Sequence, residues 1–182
     1  MSRVLTWLSR KSSVYIFALM WAALLAGVTL SELNLPSPLR AAGAATVITI
    51  LYGYPFAIIF GFPSPYSTAV SRRVSGLAAL VLLAACSVAA IAPTAHYETS
   101  GVLGNLLGLL LGALVFSPFF IATHVLGEAR RALGSYQPTD SIGAWIALFY
   151  FPFGGVFFLH RTVAVTAEAV RARASAGEPH AV

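Results

Sequence analysis

The sequence predicts an all-α integral membrane protein: a bundle of four transmembrane helices plus a fifth broken hydrophobic segment, re-entrant or a kinked span, with short amphipathic helices at both ends. Three observations predict it. Five apolar runs, Val14–Leu30, Ala44–Phe62, Gly76–Ala92, Leu103–Leu126 and Ile142–Leu159, contain no Asp, Glu, Lys or Arg. Each is close to the length at which a helix crosses a bilayer core. A helix on a soluble protein keeps one face polar, so charges interrupt it every few residues. Charged residues are only 9% of the 182-residue chain and hydrophobic residues 58%, against roughly 25% charged in an average soluble domain. Finally, the basic residues gather in short clusters between the runs.

That clustering decides how the net charge of +5 is read. A nucleic-acid binder concentrates its basic residues on one face. Here they follow the positive-inside pattern of membrane loops, so the lipid bilayer and its anionic headgroups are the expected partners and nucleic acid is not. Cys86 is the only cysteine, which excludes an intrachain disulfide. Inside the third run it is read as a small packing residue.

Residues 1–13 form the predicted N-terminal interfacial segment, a short surface helix with Val4, Trp7 and Leu8 on one face and Trp7 at headgroup level. Arg3, Arg10 and Lys11 before the first run resemble the start of a signal peptide. The run is long for a signal h-region, however, and no small-x-small site precedes Ser31, so a retained first span is expected. The loop Ser31–Arg40 carries Pro36 and Pro38, which favour an extended path. After run two come Pro63, Pro65 and the Arg72-Arg73 pair. The loop Pro93–Ser100 holds His96, Tyr97 and Glu98, read as solvated. Gly127–Ser141 is the longest polar stretch. The tail, residues 161–182, is predicted amphipathic from Arg161 to about Ala176. Val163, Ala167, Val170 and Ala174 form its stripe, with Arg161 and Glu168 opposite. Gly177 and Pro179 end the pattern.

With the N-terminus in the cytoplasm of a bacterial cell, the inner loops collect Arg72, Arg73, Arg130 and Arg131, and Arg40 alone lies outside. The fifth run breaks the alternation. If it spans, Arg161, Arg171 and Arg173 end up outside. If it dips in and returns, they stay inside. Its centre, Phe151-Pro152-Phe153-Gly154-Gly155, removes a backbone donor and permits a turn. The basic-residue rule favours the re-entrant path and a cytoplasmic tail. Residues 14–160 then form the hydrophobic bundle of a single polytopic domain in the inner membrane.

Four constellations are candidates for function. Gly104, Gly108 and Gly112 in run four stack on one helix face and invite close approach of another helix, from this chain or another subunit. Run three, with Gly76, Ala79, Ala84 and Ser87, is the candidate partner within the chain. Tyr52, Tyr54, Pro55, Pro118 and Pro152 mark a candidate ligand pocket where kinked helices meet. Leu51–Phe56 and Leu148–Phe153 share an aromatic-proline pattern. An inverted repeat around a midplane site would produce this, and so would aromatic-rich composition alone. His124, at the inner end of the fourth run, and His160, at the exit of the fifth, lie at similar depth if the fifth run returns, and are the weak candidates for a haem iron or metal. A histidine near a helix C-terminus also complements the helix dipole.

The missing features narrow the field further. No acid or base interrupts a span, which disfavours ion coupling through a buried carboxylate. No His-Glu-x-x-His, Gly-x-Ser-x-Gly or phosphate loop is present, so the sequence points away from an enzyme and names no catalytic residue or cofactor. Asn105 is read as a helix-packing amide. The leading expectation is a non-enzymatic membrane subunit or scaffold that packs against other membrane proteins, a second copy or lipid. The alternatives are a small carrier or hydrophobic-ligand binder, and a haem- or quinone-binding redox subunit.

Overall fold

The computed structural model of the chain describes residues 2–33, 36–91, 102–136 and 152–176. Among the described residues the structure is entirely helical. The elements are α1 (Arg3–Ser9), α2 (Ser13–Glu32), α3 (Ser37–Gly61), α4 (Ala69–Ile91), α5 (Val102–Ala132) and α6 (Pro152–Ser175). Three of them contain stretches long and apolar enough to cross a membrane: Ser13–Leu30, Ser37–Gly61 and Asn105–Ala132. α4 is continuous but opens with Arg72 and Arg73 in its first turns, and the end of its apolar run lies outside the described residues.

Local chemistry fixes the ends. The hydroxyls of Ser2 and Ser12 cap α1 and α2 by accepting from the N–H groups of Leu5 and Tyr15, both at 3.2 Å. Thr68 does the same for α4, accepting from Ser71 N–H at 3.1 Å. The loop expected over Ser31–Arg40 is shorter than the sequence suggested, because α3 begins at Ser37 with Pro38 in its first turn. Proline is preorganised for that position, where its missing N–H has no helical partner to lose. The polar stretch expected from Gly127 likewise starts later, since α5 runs on to Ala132. It stops at Gly134, whose φ of +69° is the left-handed conformation glycine adopts freely. Ser135 N–H then reaches the Arg130 carbonyl at 3.0 Å and Gly134 N–H the Arg131 carbonyl at 2.9 Å, the bond pair of a Schellman ending.

α3 is the hub and packs against all five of the other described helices. It approaches α2 closely. A Cβ placed on Gly27 would lie 2.9 Å from Val47 Cγ2 and 3.0 Å from the Gly43 carbonyl oxygen. At the other end of α3, a Cβ on Gly61 would meet Leu5 Cβ at 2.6 Å. The buried Leu5 thus pins α1 against the bundle, and Ser2 N–H donates to the Gly61 carbonyl at 3.0 Å. The outward face of α1 is Val4 and Trp7, both exposed, while Leu8 packs on the core. The expected shared face of Val4, Trp7 and Leu8 is therefore divided.

The core gathers at one end of the bundle: Tyr52, Tyr54, Ile58, Ile59 and Phe62 from α3, Phe119, Val125 and Leu126 from α5, Val163, Ala167 and Val170 from α6. The leucines of α2 and α5 away from this end, such as Leu25, Leu106, Leu109 and Leu110, are exposed. In water such a surface would drive aggregation. In hydrocarbon it needs no cover.

Two prolines sit inside helices, Pro55 in α3 and Pro118 in α5. Pro118 deprives the Leu114 carbonyl of its partner, and Ser117 Oγ donates to that carbonyl at 2.7 Å. Pro152, by contrast, is the first residue of α6. The prolines of the matched Leu51–Phe56 and Leu148–Phe153 segments therefore occupy different backbone settings. Residues 142–151, on which the choice between a re-entrant path and a kinked span turns, lie outside the described residues.

Candidate functional site

The candidate residues divide into three groups. The first is the glycine face of α5. Cβ atoms placed on Gly108 and Gly112 would meet nothing within 4 Å. The same holds for Gly76 of α4, the expected partner helix, although α4 and α5 do touch. Among the described residues, no neighbour of this chain closes on Gly108 or Gly112. Asn105, in the same stretch, is exposed. Side-chain surroundings at Gly104 and Cys86 lie outside the described residues, as does the loop with His96 and Glu98.

The second group is the aromatic-proline set. Tyr52, Tyr54, Pro55 and Pro118 are all buried. Tyr52 lies with its ring centroid 5.1 Å from that of Phe119 and 6.0 Å from that of Phe56. These contacts join α3 to α5 as a packed aromatic layer. Pro152 starts α6, and its side chain is not among those described.

The third group is the histidine pair, which the structure treats unequally. His124 is exposed on α5. His160 is 2% exposed and uses both ring nitrogens: Nδ1 lies 3.3 Å from Tyr54 Oη and Nε2 2.7 Å from the Lys11 carbonyl oxygen. A carbonyl only accepts, so Nε2 carries the proton in the neutral ring and Nδ1 accepts from the Tyr54 hydroxyl. This buried chain ties α6, α3 and the α1–α2 junction at one point. Among the described residues, no three His, Cys, Asp or Glu side chains group as a metal site would need.

The arginines of the same end are anchored in a way that charge counting does not reveal. Arg72 donates through Nη2 to the Phe62 carbonyl at 2.8 Å, closing the end of α3. Arg130 donates to the Ser135 carbonyl at 2.9 Å, and Arg173 of α6 to the Ala132 carbonyl at the end of α5. Helix C-termini leave carbonyls without partners, and a cation there also opposes the helix dipole. Arg131 pairs with Glu128 and lies 4.4 Å from the Tyr136 ring centroid. Lys11 Nζ stands 5.7 Å and 5.2 Å from the ring centroids of Trp7 and Tyr15.

Sequence reasoning missed Gly27, Gly43 and Gly61, where α3 packs closely on α2 and on Leu5 of α1. The signal was present in Ala41-Ala42-Gly43-Ala44-Ala45-Thr46, a small-residue stretch outweighed by the more regular glycine spacing of α5. The Tyr54–His160–Lys11 link was not legible, because its three members come from distant parts of the chain.

No protein-family model, curated protein or solved structure matches the chain. The class that fold and composition define is a helical membrane protein with three span-length apolar helices among its described residues.

Proposed function

We propose that this chain is a non-enzymatic polytopic membrane subunit or scaffold. In this reading α4 is a fourth span, the N-terminus faces the cytoplasm across a bacterial inner membrane, and α5 docks another membrane helix. The observation that carries the reading is the open surface at Gly108 and Gly112, where an added Cβ meets nothing within 4 Å. Between helices in lipid no hydrophobic force operates, and association depends on how closely backbones approach. A glycine-lined strip that the described residues of its own chain leave bare supports a docking role for a helix from another subunit or a second copy. The exposed Leu106, Leu107 and Leu110 around it supply apolar flanks that make contact once the backbones have met.

The test is purification from the native host in mild detergent, followed by identification of what accompanies the protein and by its mass in solution. Wild type is expected to carry a fixed helical partner or a second copy, and Gly108→Ile to lose it while keeping the thermal midpoint of the isolated chain. An assembly that survives Gly108→Ile refutes the docking face. A Soret band abolished by His124→Ala would replace this reading with the redox one.

A further inference from the structure

We propose that the outward face of α1 and the first turn of α2 bind the headgroups of anionic phospholipids. Arg3, Val4, Trp7, Arg10, Lys11 and Tyr15 are all exposed. The first five gather around Trp7, because residues three and four apart share a helix face. The Tyr15 ring joins them with its centroid 6.4 Å from that of Trp7, the two planes at 70°. On the opposite side of α1, Leu5 and Ser9 are buried. Three cations therefore share one aromatic patch, and no acid answers them. The first carboxylate of the sequence is Glu32, at the far end of α2 and about 30 Å along that helix. Among the described residues, Glu168 of the neighbouring α6 forms no ion pair with any of the three.

Three further observations fit a lipid headgroup. The first is depth. The apolar span of α2 begins at Ser13 and that of α3 ends at Gly61, where Leu5 of α1 packs. α1 thus lies where two spans end, the level of the headgroups. The second is chemistry. Trp and Tyr are the side chains that settle at this level, each with an apolar ring and a polar tip. The Lys11 ammonium stands over both rings and, among the described residues, donates no hydrogen bond, so its N–H groups are left for phosphate oxygens. The third is rigidity. Ser2 N–H is bonded to the Gly61 carbonyl and the Lys11 carbonyl to His160, and cations held in place lose less freedom on binding. The inference rests on the membrane assignment and not on the glycine docking face.

Fluorescence quenching tests it. The tryptophans of the chain are Trp7, Trp21 and Trp145, so the full-length Trp21→Phe/Trp145→Phe protein reports on Trp7 alone. It is reconstituted in vesicles of phosphatidylcholine and phosphatidylglycerol in equal parts, with bromine on the acyl chains of one lipid at a time. Quenching then gives the share of each lipid beside Trp7. Phosphatidylglycerol is expected to be preferred about fivefold or more, the effect of one cation near an anionic headgroup. Adding Arg10→Gln/Lys11→Gln should bring the two lipids to parity with the summed quenching retained. That pair keeps the backbone carbonyl used by His160, so its thermal midpoint should match the parent's. Arg73→Gln, outside the patch, should keep the preference. Equal quenching by the two lipids in the parent, or an undiminished preference after Arg10→Gln/Lys11→Gln, overturns the proposal. Quenching by neither lipid overturns the membrane-facing placement of α1. Gly108→Ile should keep the preference, which separates this outcome from the fate of the docking face.

Discussion

Tyr54 and His160, 106 residues apart, meet inside the bundle with Oη 3.3 Å from Nδ1, and the far nitrogen of the same ring reaches the Lys11 carbonyl at 2.7 Å. One imidazole thus satisfies a hydroxyl and a backbone carbonyl on two other elements. A buried polar group left without a partner costs more than its bond contributes when made. His160→Ala is therefore expected to destabilise the protein by about 2–3 kcal/mol, and Tyr54→Phe by only about 1 kcal/mol, because phenylalanine leaves one ring nitrogen unpaired and no hydroxyl. Thermal unfolding in detergent measures both, and equal costs would show that the ring acts by packing alone.

The α2–α3 contact makes a sharper demand. Gly27 has a side chain, a carbonyl and a backbone nitrogen of α3 within 3.3 Å of where its Cβ would be. Gly27→Val is expected to cost about 1–3 kcal/mol through overpacking. Gly112→Val, with open space at the same atom, should leave the isolated chain's midpoint nearly unchanged. If the two variants behave alike, the helices are not closely apposed at Gly27.

Ser117 serves the proline next to it. Ser117→Ala removes the donor to the Leu114 carbonyl and should destabilise by about 1 kcal/mol. In a Pro118→Ala background, where a backbone N–H is again available to that carbonyl, the same change should be nearly neutral. A double-mutant cycle on unfolding midpoints gives the coupling.

Neighbouring arginines should differ. Arg72 closes the end of α3 through the Phe62 carbonyl, whereas Arg73 is exposed. Arg72→Gln is expected to cost about 1–2 kcal/mol, and Arg73→Gln to stay within about 0.5 kcal/mol of wild type. Equal effects would mean that charge and not the carbonyl contact matters here.

The contacts of α6 give an expectation for the side on which the tail emerges. His160 touches Lys11 and Arg173 touches Ala132, so α6 is held at the end of the bundle that also carries α1. In a Cys86→Ser background, single cysteines at Ser2 and Ser175 are expected to react with an impermeant thiol reagent from the same side of sealed vesicles. Labelling from opposite sides would break this topology.

Membrane residence, the helical class and the approximate helix positions were legible in the sequence because they depend on local quantities. Uncharged runs of span length have few other uses. Loop lengths were less legible: Pro38 and Gly127 are helix breakers in isolation, yet Pro38 sits where its missing donor is harmless and the ending of α5 is set at Gly134. The amphipathic stripe of the tail was correct at Val163, Ala167 and Val170, which are buried, and failed at Ala174, which is exposed.

What the sequence determined by itself was the solvent this protein requires and the period of its elements. Which glycines meet a neighbour, which histidine is buried and which arginines close helix ends were decided by the tertiary structure alone. The reason is physical: Gly27 and Gly108 are chemically identical, and only the position of another backbone makes one a contact, while among the described residues nothing meets the other.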